Sequence, residues 1–537
     1  KVGHSERTDA VIEPKLSAQW FMKMEDVAKK ALSVVEDDTI QFHPAKFKNT
    51  YRHWLENIKD WCISRQLWWG QRIPAYYFTI DGRTEVVVAE NDDAALQKAR
   101  LQYPDARLAA GDLRQDEDVL DTWFSSWLWP IALFDGIRNP DNEEINYYYP
   151  TDTLITAPDI IFFWVARMIM AGEEYRNEIP FKHVYFTGIV RDKLGRKMSK
   201  SLGNSPDPIK LIEQYGADGV RMGMLLTAPA GNDLPFDESI CEQGRNFANK
   251  IWNALRLVKG WQVDATAPQP ADCALSVEWM EHRMLQVLAQ IDHDFQSFRL
   301  SEALMAAYKL VWDNFCSWYL EMIKPAFGTA IDGATYESTL SIFERLMCML
   351  HPFMPFVTEE IWHALRDRTE EESIMNQPLP AVKPFNQQLL DDCAMAQEII
   401  AGVRNLRGSK GLSPKEQLQL FVRGTAPQHF FGLICKMANV SQVECVADKV
   451  DGALNFLVGT TECFVPMSQH IDKEAELVKL NDELKYAENF LASVMKKLNN
   501  EKFVSGAPEH VVNLERKKKS DAESKIAALK AQIEAIK

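Results

Sequence analysis

The sequence lacks the features that would place the chain in a membrane, in a disulfide framework or around a structural zinc ion. No apolar run approaches the roughly 18 to 20 residues that a helix needs to cross a bilayer, and the longest one, 160–170, is interrupted by Arg167. The nine cysteines stand singly, without a Cys-x-x-Cys pair, which argues against both zinc and disulfides. The first residues contain no apolar signal-peptide core. We therefore expect a cytoplasmic protein with reduced thiols, no metal site and no membrane contact.

Positive charge is also scarce. The chain has 60 Lys and Arg residues against 76 Asp and Glu residues, a formal net charge of −16. Phosphate contacts need clustered Lys and Arg, so the overall balance counts against a general nucleic-acid binder, and any RNA contact must come from local basic patches. The apolar fraction of 46% is ordinary for a globular protein. A length of 537 residues predicts roughly three to five folding units.

The first part of the chain predicts α/β structure with a parallel sheet. Segments 153–156 and 183–188 have the composition of strands, and 160–170 between them has that of a buried helix. Strand, helix and strand at this spacing form a βαβ unit, whose strands are parallel and whose crossover is right-handed. Further upstream, 86–89 predicts a short buried strand and 94–103 predicts a helix.

Beyond residue 237 the pattern changes to long helical periods. Apolar residues recur at intervals of three and four, with prolines between or at the ends of the segments, in 238–261, 277–299, 301–325, 335–350 and 356–366. This pattern predicts a helix bundle. A further helix is predicted at about 387–405, and 416–466 has the pattern of a small α/β unit.

The end of the chain carries heptad spacing. Apolar residues alternate steps of three and four at Leu477, Leu480, Leu484, Ala487, Leu491, Val494 and Leu498, and again at Ala522, Ile526, Leu529, Ile533 and Ile536. Ser505-Gly506-Ala507-Pro508 interrupts the helix between the two series. Two such helices predict an antiparallel coiled coil with lysines and arginines clustered near its tip. That cluster is either a solvated charged face or an RNA contact.

The most specific motif is the string Gly195-Arg-Lys-Met-Ser-Lys-Ser-Leu-Gly-Asn204, which follows a predicted strand. Its two lysines supply positive charge, and its hydroxyls and backbone amides can donate hydrogen bonds to a polyphosphate. The carboxyl edge of a parallel sheet is where a nucleotide is expected in an α/β fold. The string in this setting therefore predicts a nucleotide-phosphate site.

This string resembles the KMSKS signature of the class I aminoacyl-tRNA synthetases, and the resemblance extends over nearly the whole chain. Other blocks similar to family strings are 61–74, 118–126, 215–221, 244–253 and 501–508. The block 158–168, Pro-Asp-Ile-Ile-Phe-Phe-Trp-Val-Ala-Arg-Met, resembles the valine branch of the family. The resemblance implies a Rossmann-like second half of a catalytic domain at 1–237. Following it would be an anticodon-binding helical domain at 238–405, an α/β connector at 406–466 and a coiled-coil tRNA-binding arm at 467–537.

Roles for the loop residues follow from the resemblance. Lys200 would hold the pyrophosphate of ATP and stabilise the charge that builds at the α-phosphate, with Lys197 assisting. Ser199 and Ser201 would shape the loop, and both of them and Met198 would contribute to the binding of ATP. ATP with Mg²⁺ is the implied cofactor, and the magnesium is implied only through ATP.

Three further residues are assigned to substrates by the resemblance. Asp159 would face the ribose of ATP or of the adenylate, and the alternative role for it is a helix N-cap. Trp123 and Ile160 would form walls of the valine side-chain pocket, and the alternative for both is packing in the core. A pocket that accepts valine discriminates only weakly against threonine, by about a hundredfold, and the valine branch of this family is the standard example.

The implied RNA partner is a valine tRNA. In the helical domain Arg245, Asn246 and Lys250 are candidates for contact with it, and structural ion pairing is the alternative. At the tip of the coiled coil the candidates are Arg516, Lys517 and Lys518. Stacking on exposed aromatic side chains and phosphate contacts would supply the affinity.

The sequence departs from the family pattern in one respect. No His-x-Gly-His string occurs in it, although the family uses that string to complete the ATP site. We therefore expect a C-terminal portion that lacks the first half of the catalytic domain and the editing domain. It should be monomeric, bind tRNA and be inactive in aminoacylation by itself.

Three other identities compete with the valine branch. An isoleucine-specific member of the same family shares most blocks, but the 158–168 string and the tail favour valine. Small nucleotidyltransferases use a similar lysine and serine loop, but they lack the helical bundle and the tail. A non-catalytic RNA-binding descendant of a synthetase would not need an intact lysine loop.

Overall fold

The computed structural model of the chain describes residues 2–5, 8–199, 202–466, 473–500 and 509–536. Internal contacts divide the chain into two units. The first contains Lys1–Asp207, Met224–Glu238 and Ser297–Ser301, and the second contains Pro208–Gly223, Ser239–Gln296 and Glu302–Lys537. Within the described ranges, no helix combines the length and the apolarity that crossing a membrane requires.

A three-stranded parallel sheet lies at the centre of the first unit. Its middle strand, Phe181–Phe186, pairs on one side with Gln41–His43 and on the other with Thr151–Thr156. The chain passes from Thr151–Thr156 to the middle strand through a helical crossover that ends in the helix Ala166–Tyr175. This is the βαβ unit that the sequence predicts. The predicted α/β fold class is confirmed.

Apolar helices cover this sheet. The first seven residues of the helix Ala166–Tyr175 are all buried, because an apolar face on this helix can be shielded from water only by packing against other elements. The other helical segments of this layer are Glu25–Glu36, Phe47–Glu56, the 3₁₀ turn Pro158–Ile160 and the π-helical turn Ile161–Val165. Together they form one core cluster, which includes the fully buried Tyr51 and Trp127.

The prediction of a buried strand at 86–89 is right about the strand and wrong about its burial. The segment belongs to the strand Arg83–Val88, which lies at the edge of an antiparallel sheet with Ala75–Ile80 and Arg114–Gln115. Only Val87 faces the core, while Val86 is 42% and Val88 50% exposed. An antiparallel sheet can leave one face in water, and a run of valines does not reveal which face. The predicted helix nearby is confirmed as Asp92–Gln102.

Short elements complete the first unit. Its two-residue strands pair as Phe21–Met22 with Trp61–Cys62, Ser64–Arg65 with Val119–Leu120, and Val190–Arg191 with Leu234–Pro235. Its remaining helical segments are Ala110–Asp112, Thr122–Ser126, Trp129–Ala132 and Glu143–Tyr148.

The predicted helix bundle occupies much of the second unit. Its main helical segments, several of which follow one another directly, are Glu238–Lys259, Ala271–Gln296, Leu300–Lys309, the π-helical Leu310–Tyr319, Leu320–Ile323, Gly333–Leu350, Pro355–Leu365 and Gln387–Lys410. Further elements are the helices Pro208–Tyr215 and Ala217–Leu226, the 3₁₀ turn Ile374–Asn376, and the paired strands Val263–Asp264 and Ile331–Asp332. The helix predicted to end near 405 continues to Lys410, where Gly411 adopts a φ of 66° as its C-cap.

A small α/β unit follows the bundle. Its four strands are ordered Val440–Cys445, Leu418–Arg423, Thr461–Pro466 and Ala453–Val458. The first two are parallel and the other neighbours antiparallel. The 3₁₀ turn Gln428–Phe430 and the helix Phe431–Ala438 connect the parallel pair.

The chain ends in two long antiparallel helices, Lys473–Leu498 and Glu509–Ile536. Lys530 lies 2.9 Å from Glu488, and Lys497 lies 3.8 Å from Glu515, which establishes the antiparallel direction. Buried residues of the predicted heptad seam are Leu480, Ala487, Val494, Ala522, Leu529 and Ile533. The predicted break at 505–508 and the side chains of Leu477 and Ile536 lie outside what the structure describes.

Candidate functional site

Two neighbouring strands of the parallel sheet end at the candidate site. The strands Thr151–Thr156 and Phe181–Phe186 end side by side, and the amide of Thr187 donates a 2.8 Å hydrogen bond to the carbonyl of Thr156. The chain then turns at Pro158–Ile160 after the first strand and enters a longer loop after the second. We call residues 192–204 the lysine loop. Polar residues from both connections therefore meet at the carboxyl edge of the sheet.

A hairpin places the first half of the lysine loop. Val190–Arg191 pairs in parallel with Leu234–Pro235, and the backbone of Arg191 forms an antiparallel bridge with Lys197. The amide of Met198 donates to the carbonyl of Val190 at 3.4 Å. Arg191 also forms an ion pair with Asp233. The loop therefore turns back on its own stem, which holds Lys197 close to the sheet edge.

Asp192 and Asn204 hold the loop together. The Asp192 carboxylate accepts hydrogen bonds from the amides of Leu194 and Arg196, at 3.0 and 2.9 Å, and from the Arg196 side chain at 2.8 Å. It also accepts one from the Asn204 amide group at 3.0 Å, and the amide of Ser199 donates to Asn204 Oδ1 at 2.9 Å. The Asn204 bond, followed by those from Arg196 and Leu194, holds the pKa of Asp192 well below its usual range.

Lys197 and Asp159 meet across the two connections. The Lys197 ammonium donates to Asp159 Oδ2 at 2.6 Å, and both side chains are about half exposed. An exposed pair of this kind contributes about 0–1 kcal/mol, so either partner can be released to a ligand at little cost. The N-cap role for Asp159 is wrong, because the N-cap of the Pro158–Ile160 turn is Ala157. Lys200 and Ser201 lie outside the described residues.

Of the two residues expected to form walls of the amino-acid pocket, one lines a cavity and the other does not. Trp123 lies on the short helix Thr122–Ser126, where Asp121 caps the first turn by accepting from the Trp123 amide at 2.8 Å. Its ring stacks on Phe163 with the centroids 6.2 Å apart. Trp123 also lines a cavity of about 450 Å³, and Ile160, which is half-buried, is not part of that lining.

A buried arginine reaches the same cavity. The Arg167 guanidinium lies 3.5 Å from the ring centroid of Trp61, and both residues line the cavity. Burial lowers the pKa of Arg167 to about 10, against the opposing effect of nearby Asp121. Arg167 is therefore still a cation at neutral pH. Asp121 is engaged by Arg65 in an ion pair.

Three residues of the site were not assigned a role from the sequence. Asp192 and Asn204 frame the lysine loop through the hydrogen bond between their side chains. Trp164 links the block 158–168 to the block 118–126, because its indole nitrogen donates to the carbonyl of Ser126 at 3.1 Å. The signal for Asp192 was present, because Asp followed at a distance of three by Gly195 is typical of a turn. The Trp164 contact had no sequence signal, since it joins residues 38 positions apart.

The candidate RNA residues of the bundle lie on one helix, Glu238–Lys259. The Arg245 guanidinium lies 5.5 Å from the ring centroid of Tyr215 and 3.4 Å from the carboxylate of Glu242. The Lys250 ammonium lies 5.2 Å from the ring centroid of Trp312. Asn246 is exposed. Arg245 thus has an ion pair, as the alternative role expects, whereas the contact of Lys250 is with an aromatic ring.

The candidate residues of the coiled-coil arm lie near the start of its second helix. Lys518 donates to Glu515 at 2.7 Å, and Lys497 of the first helix approaches the same carboxylate at 3.8 Å. Arg516 donates to Asn513 at 3.4 Å. Together with Lys517, these three cations form a basic surface, and the carboxylate of Glu515 partly neutralises its charge.

Family models match three parts of the chain. Residues 5–237 match tRNA synthetases class I (I, L, M and V), residues 277–422 match the anticodon-binding domain of tRNA ligase, and residues 472–537 match the valyl tRNA synthetase tRNA binding arm. The lysine loop lies within the first match, the bundle from residue 277 onward within the second, and the coiled coil within the third.

Individual relatives agree with the family models. The valine–tRNA ligase of Parabacteroides distasonis is 60% identical over 536 residues, which covers 100% of this chain and 61% of that protein. The enzyme of the same name from Phocaeicola vulgatus is 60% identical over 538 residues, with the same coverage. The chain thus spans about 61% of the length of these relatives.

A weaker likeness is to a solved structure. Methionyl-tRNA synthetase of Mycobacterium tuberculosis bound by methionyl-adenylate is 20% identical, with a TM-score of 0.49 over 72% of this chain and 71% of that one. The three family matches and the relatives at 60% identity over the whole chain carry the assignment. This chain belongs to the class I aminoacyl-tRNA synthetases and, within them, to the valyl-tRNA synthetase family.

Proposed function

We propose that the chain provides the phosphate-binding lysine loop and the tRNA-binding parts of a valine–tRNA ligase. The reaction of the whole protein is ATP-dependent activation of valine to valyl-adenylate, followed by transfer to the 3′ end of a valine tRNA. The chain contains no His-x-Gly-His string, which the family uses to complete the ATP site. By itself it binds nucleotide weakly, binds tRNA and does not charge it.

The observation that carries the proposal is the meeting of Lys197 with Asp159 at the carboxyl edge of the parallel sheet. A cation held only by an exposed carboxylate can exchange that partner for a phosphate oxygen. The carboxylate can then turn to a ribose hydroxyl. In phosphoryl transfer such positioning and charge stabilisation supply most of the rate. Lys200 would supply the second positive charge, at the pyrophosphate.

The framing of the loop supports this role. Asp192 and Asn204 accept hydrogen bonds from backbone amides of the loop and do not engage the Lys197 ammonium, which contacts Asp159 instead. A preorganised loop costs less ordering on binding than a mobile one. Mg²⁺ would arrive bound to the phosphates, since the described residues form no group of three or more metal-binding side chains.

Trp123 and Ile160 remain proposed walls of the valine pocket. Trp123 is supported by its place on a cavity with an aromatic wall. Ile160 is supported by its position directly after Asp159, which would bring the side chain of the amino acid next to the nucleotide. Arg245, Asn246, Lys250, Arg516, Lys517 and Lys518 remain proposed tRNA contacts. A monomer in the cytoplasm is also proposed, and the absence of disulfides among the nine cysteines is consistent with that location.

The nucleotide proposal is tested by measuring the affinity of the chain for Mg·ATP by calorimetry. Lys197→Ala should weaken binding by roughly ten- to a hundredfold, because a charge-assisted hydrogen bond contributes about 1.5–3 kcal/mol. The matched control is Lys193→Ala, in the same loop, whose ammonium lies 2.8 Å from Asp237. Equal losses in the two variants, or none in either, would refute the role of Lys197.

The RNA proposal is tested by titrating labelled valine tRNA at several salt concentrations. A logarithmic plot of affinity against salt should have a negative slope that becomes shallower when Lys517 and Lys518 are replaced by Ala. A flat response to salt would refute phosphate contacts. A charging assay with valine, ATP and the same tRNA should give no aminoacylated product.

A further inference from the structure

Two histidines lie side by side on the parallel sheet of the first unit. His43 ends the strand Gln41–His43, and His183 lies on the middle strand, Phe181–Phe186. His43 Nε2 and His183 Nδ1 are 3.1 Å apart, so one ring donates a hydrogen bond and the other accepts it. An imidazole nitrogen can accept only when it carries no proton. The contact therefore requires that at least one of the two rings is neutral.

A phenylalanine covers this pair. The ring of Phe298 stacks on that of His43, with the centroids 3.8 Å and the planes 14° apart, and its centroid lies 5.1 Å from that of His183. Phe298 has a φ of 56°. This left-handed conformation is rare for a residue with a bulky side chain, and it persists only where the surrounding structure imposes it. The stack on the two histidines supplies such a constraint.

Phe298 belongs to the segment 297–301, which runs from the end of the helix Ala271–Gln296 into the start of Leu300–Lys309. The segment is part of the first unit. A second anchor holds it there, because the hydroxyl of Ser301, which is 9% exposed, donates to the carbonyl of Leu225 at 2.8 Å. Of these two anchors, only the stack on the histidines contains groups that titrate near neutral pH.

The stacked arrangement disfavours a proton on His43. The pKa of His43 is lowered to about 4, first by burial and second by the positive charge that His183 can carry. Burial lowers the pKa of an imidazole because it removes the charged form from water. The closed arrangement therefore prefers two neutral rings.

The charged groups around the pair do not offset this preference. The titratable or charged residues of the neighbouring elements are Lys182 and Tyr185 of the middle strand, Asp152 of the strand beside it, Lys46 of the turn after His43, and Arg299 of the segment. Asp152 interacts electrostatically with His183, but its ion pair is with Lys182 at 2.9 Å. Lys46 donates to the carbonyl of Gly231 at 2.9 Å. In the part of the chain that the structure describes, no carboxylate forms an ion pair with either imidazole.

We propose that His43 and His183 form an acid-sensitive latch, which holds the segment 297–301 on the parallel sheet while both rings are neutral and releases it when they take up a proton. Release returns the imidazolium to water and allows Phe298 to leave its left-handed conformation. The latch does not depend on the proposed nucleotide site, because it uses neither Lys197 nor Asp159.

The direction of the pH dependence follows from the lowered pKa. A histidine whose pKa is lower in the closed arrangement than in water stabilises closure fully above its ordinary pKa of 6.5. That stabilisation is lost progressively as the pH falls from 6.5 to about 4. The equilibrium constant for opening should therefore rise about tenfold between about pH 7.5 and about pH 5.5.

The test is hydrogen exchange of the whole chain, measured by mass spectrometry at these two pH values and corrected for the chemical exchange rate at each. We expect the opening constant of the segment 297–301 to rise about tenfold in acid, while that of the helix Asp92–Gln102 in the same unit stays constant. A constant value in the segment, or an equal rise in the helix, would overturn the proposal.

Variants assign the effect to the latch. His43→Gln keeps a polar side chain but cannot take up a proton, so the rise should fall to less than about twofold. The matched control is His53→Gln, an exposed histidine on the helix Phe47–Glu56, which should keep the full rise. If His43→Gln does not fold, as judged by circular dichroism, Phe298→Gly decides the matter, because it uncovers His43, accepts the positive φ and should likewise flatten the response. A rise that persists in both variants would refute the latch.

The latch and the nucleotide proposal fail independently. Lys197→Ala should leave the acid response of the segment unchanged, and His43→Gln should leave the Mg·ATP affinity at neutral pH within about twofold. A flat acid response in the unaltered chain would therefore disprove the latch and leave the nucleotide site intact.

Discussion

The lysine loop and the coiled-coil arm both present basic side chains, but different interactions hold them in place. The loop is framed by directional hydrogen bonds to Asp192 and Asn204. The arm is held by an apolar seam of residues such as Leu480 and Leu529. In both places a carboxylate neutralises part of the charge, Asp159 from the turn beside the loop and Glu515 within the arm. The directional hydrogen bonds of the loop fix the positions of individual atoms, whereas the apolar seam of the arm fixes only the position of the helix surface that carries the basic side chains.

The strongest test of this contrast is removal of a seam residue. Leu529→Ala should lower the local free energy of unfolding of the arm by roughly 2–5 kcal/mol, because it removes a buried side chain and leaves a cavity. Hydrogen exchange of amides in Glu509–Ile536 measures that loss. Leu514→Ala on the same helix is the control, since Leu514 is 53% exposed and should cost little. Equal costs would disprove the seam.

The corresponding test in the loop removes one charge and keeps the shape. Asp192→Asn should lower the affinity for Mg·ATP about tenfold with little change in overall stability, because the backbone donors lose an ionised acceptor. Asp152→Asn is the control, as Asp152 is exposed and forms a single ion pair with Lys182 at 2.9 Å. If the melting temperature falls as much as that of a core variant, Asp192 supports the fold as well as the loop.

The loop should also respond to acid in a defined direction. The pKa of Asp192 is lowered by its hydrogen bonds to Asn204, Arg196 and Leu194. The contribution of Asp192 to the stability of the loop is therefore fully present above the ordinary aspartate pKa of about 3.9 and is lost as the pH falls through the lower, folded value. The amide resonances of Leu194 and Arg196 should stay constant from neutral pH to about pH 5 and move only in stronger acid. Movement near pH 6 would contradict the frame.

The smallest effect is expected at the arm. Glu515→Gln releases Lys497 and Lys518 from a shared carboxylate and should raise the affinity for tRNA about two- to threefold. It should also steepen the dependence on salt, since each released cation can displace a counterion from the RNA. Glu534→Gln, an exposed change on the same helix, serves as the control. An unchanged slope would place the RNA contact elsewhere.

Local sequence patterns predicted most of the architecture. The heptad spacing predicted the seam that buries Leu480 and Leu529, and the strand–helix–strand order predicted the parallel pairing of Thr151–Thr156 with Phe181–Phe186. Both depend on periodicity within one segment, which the amino-acid order contains directly. The exposed strand around Val86 and Val88 is the exception, because a run of valines does not record which face meets water.

The sequence alone therefore determined the succession of folds, the family and the presence of a lysine loop, since each is encoded in contiguous residues. Only the tertiary structure decided which polar groups are partners. Lys197 meets Asp159 from 38 positions away, and Arg167 packs on Trp61 from more than a hundred positions away without an acceptor. Such pairings depend on how separate segments converge in space and on which donors lose access to water. The spacing of residues within one segment predicts neither.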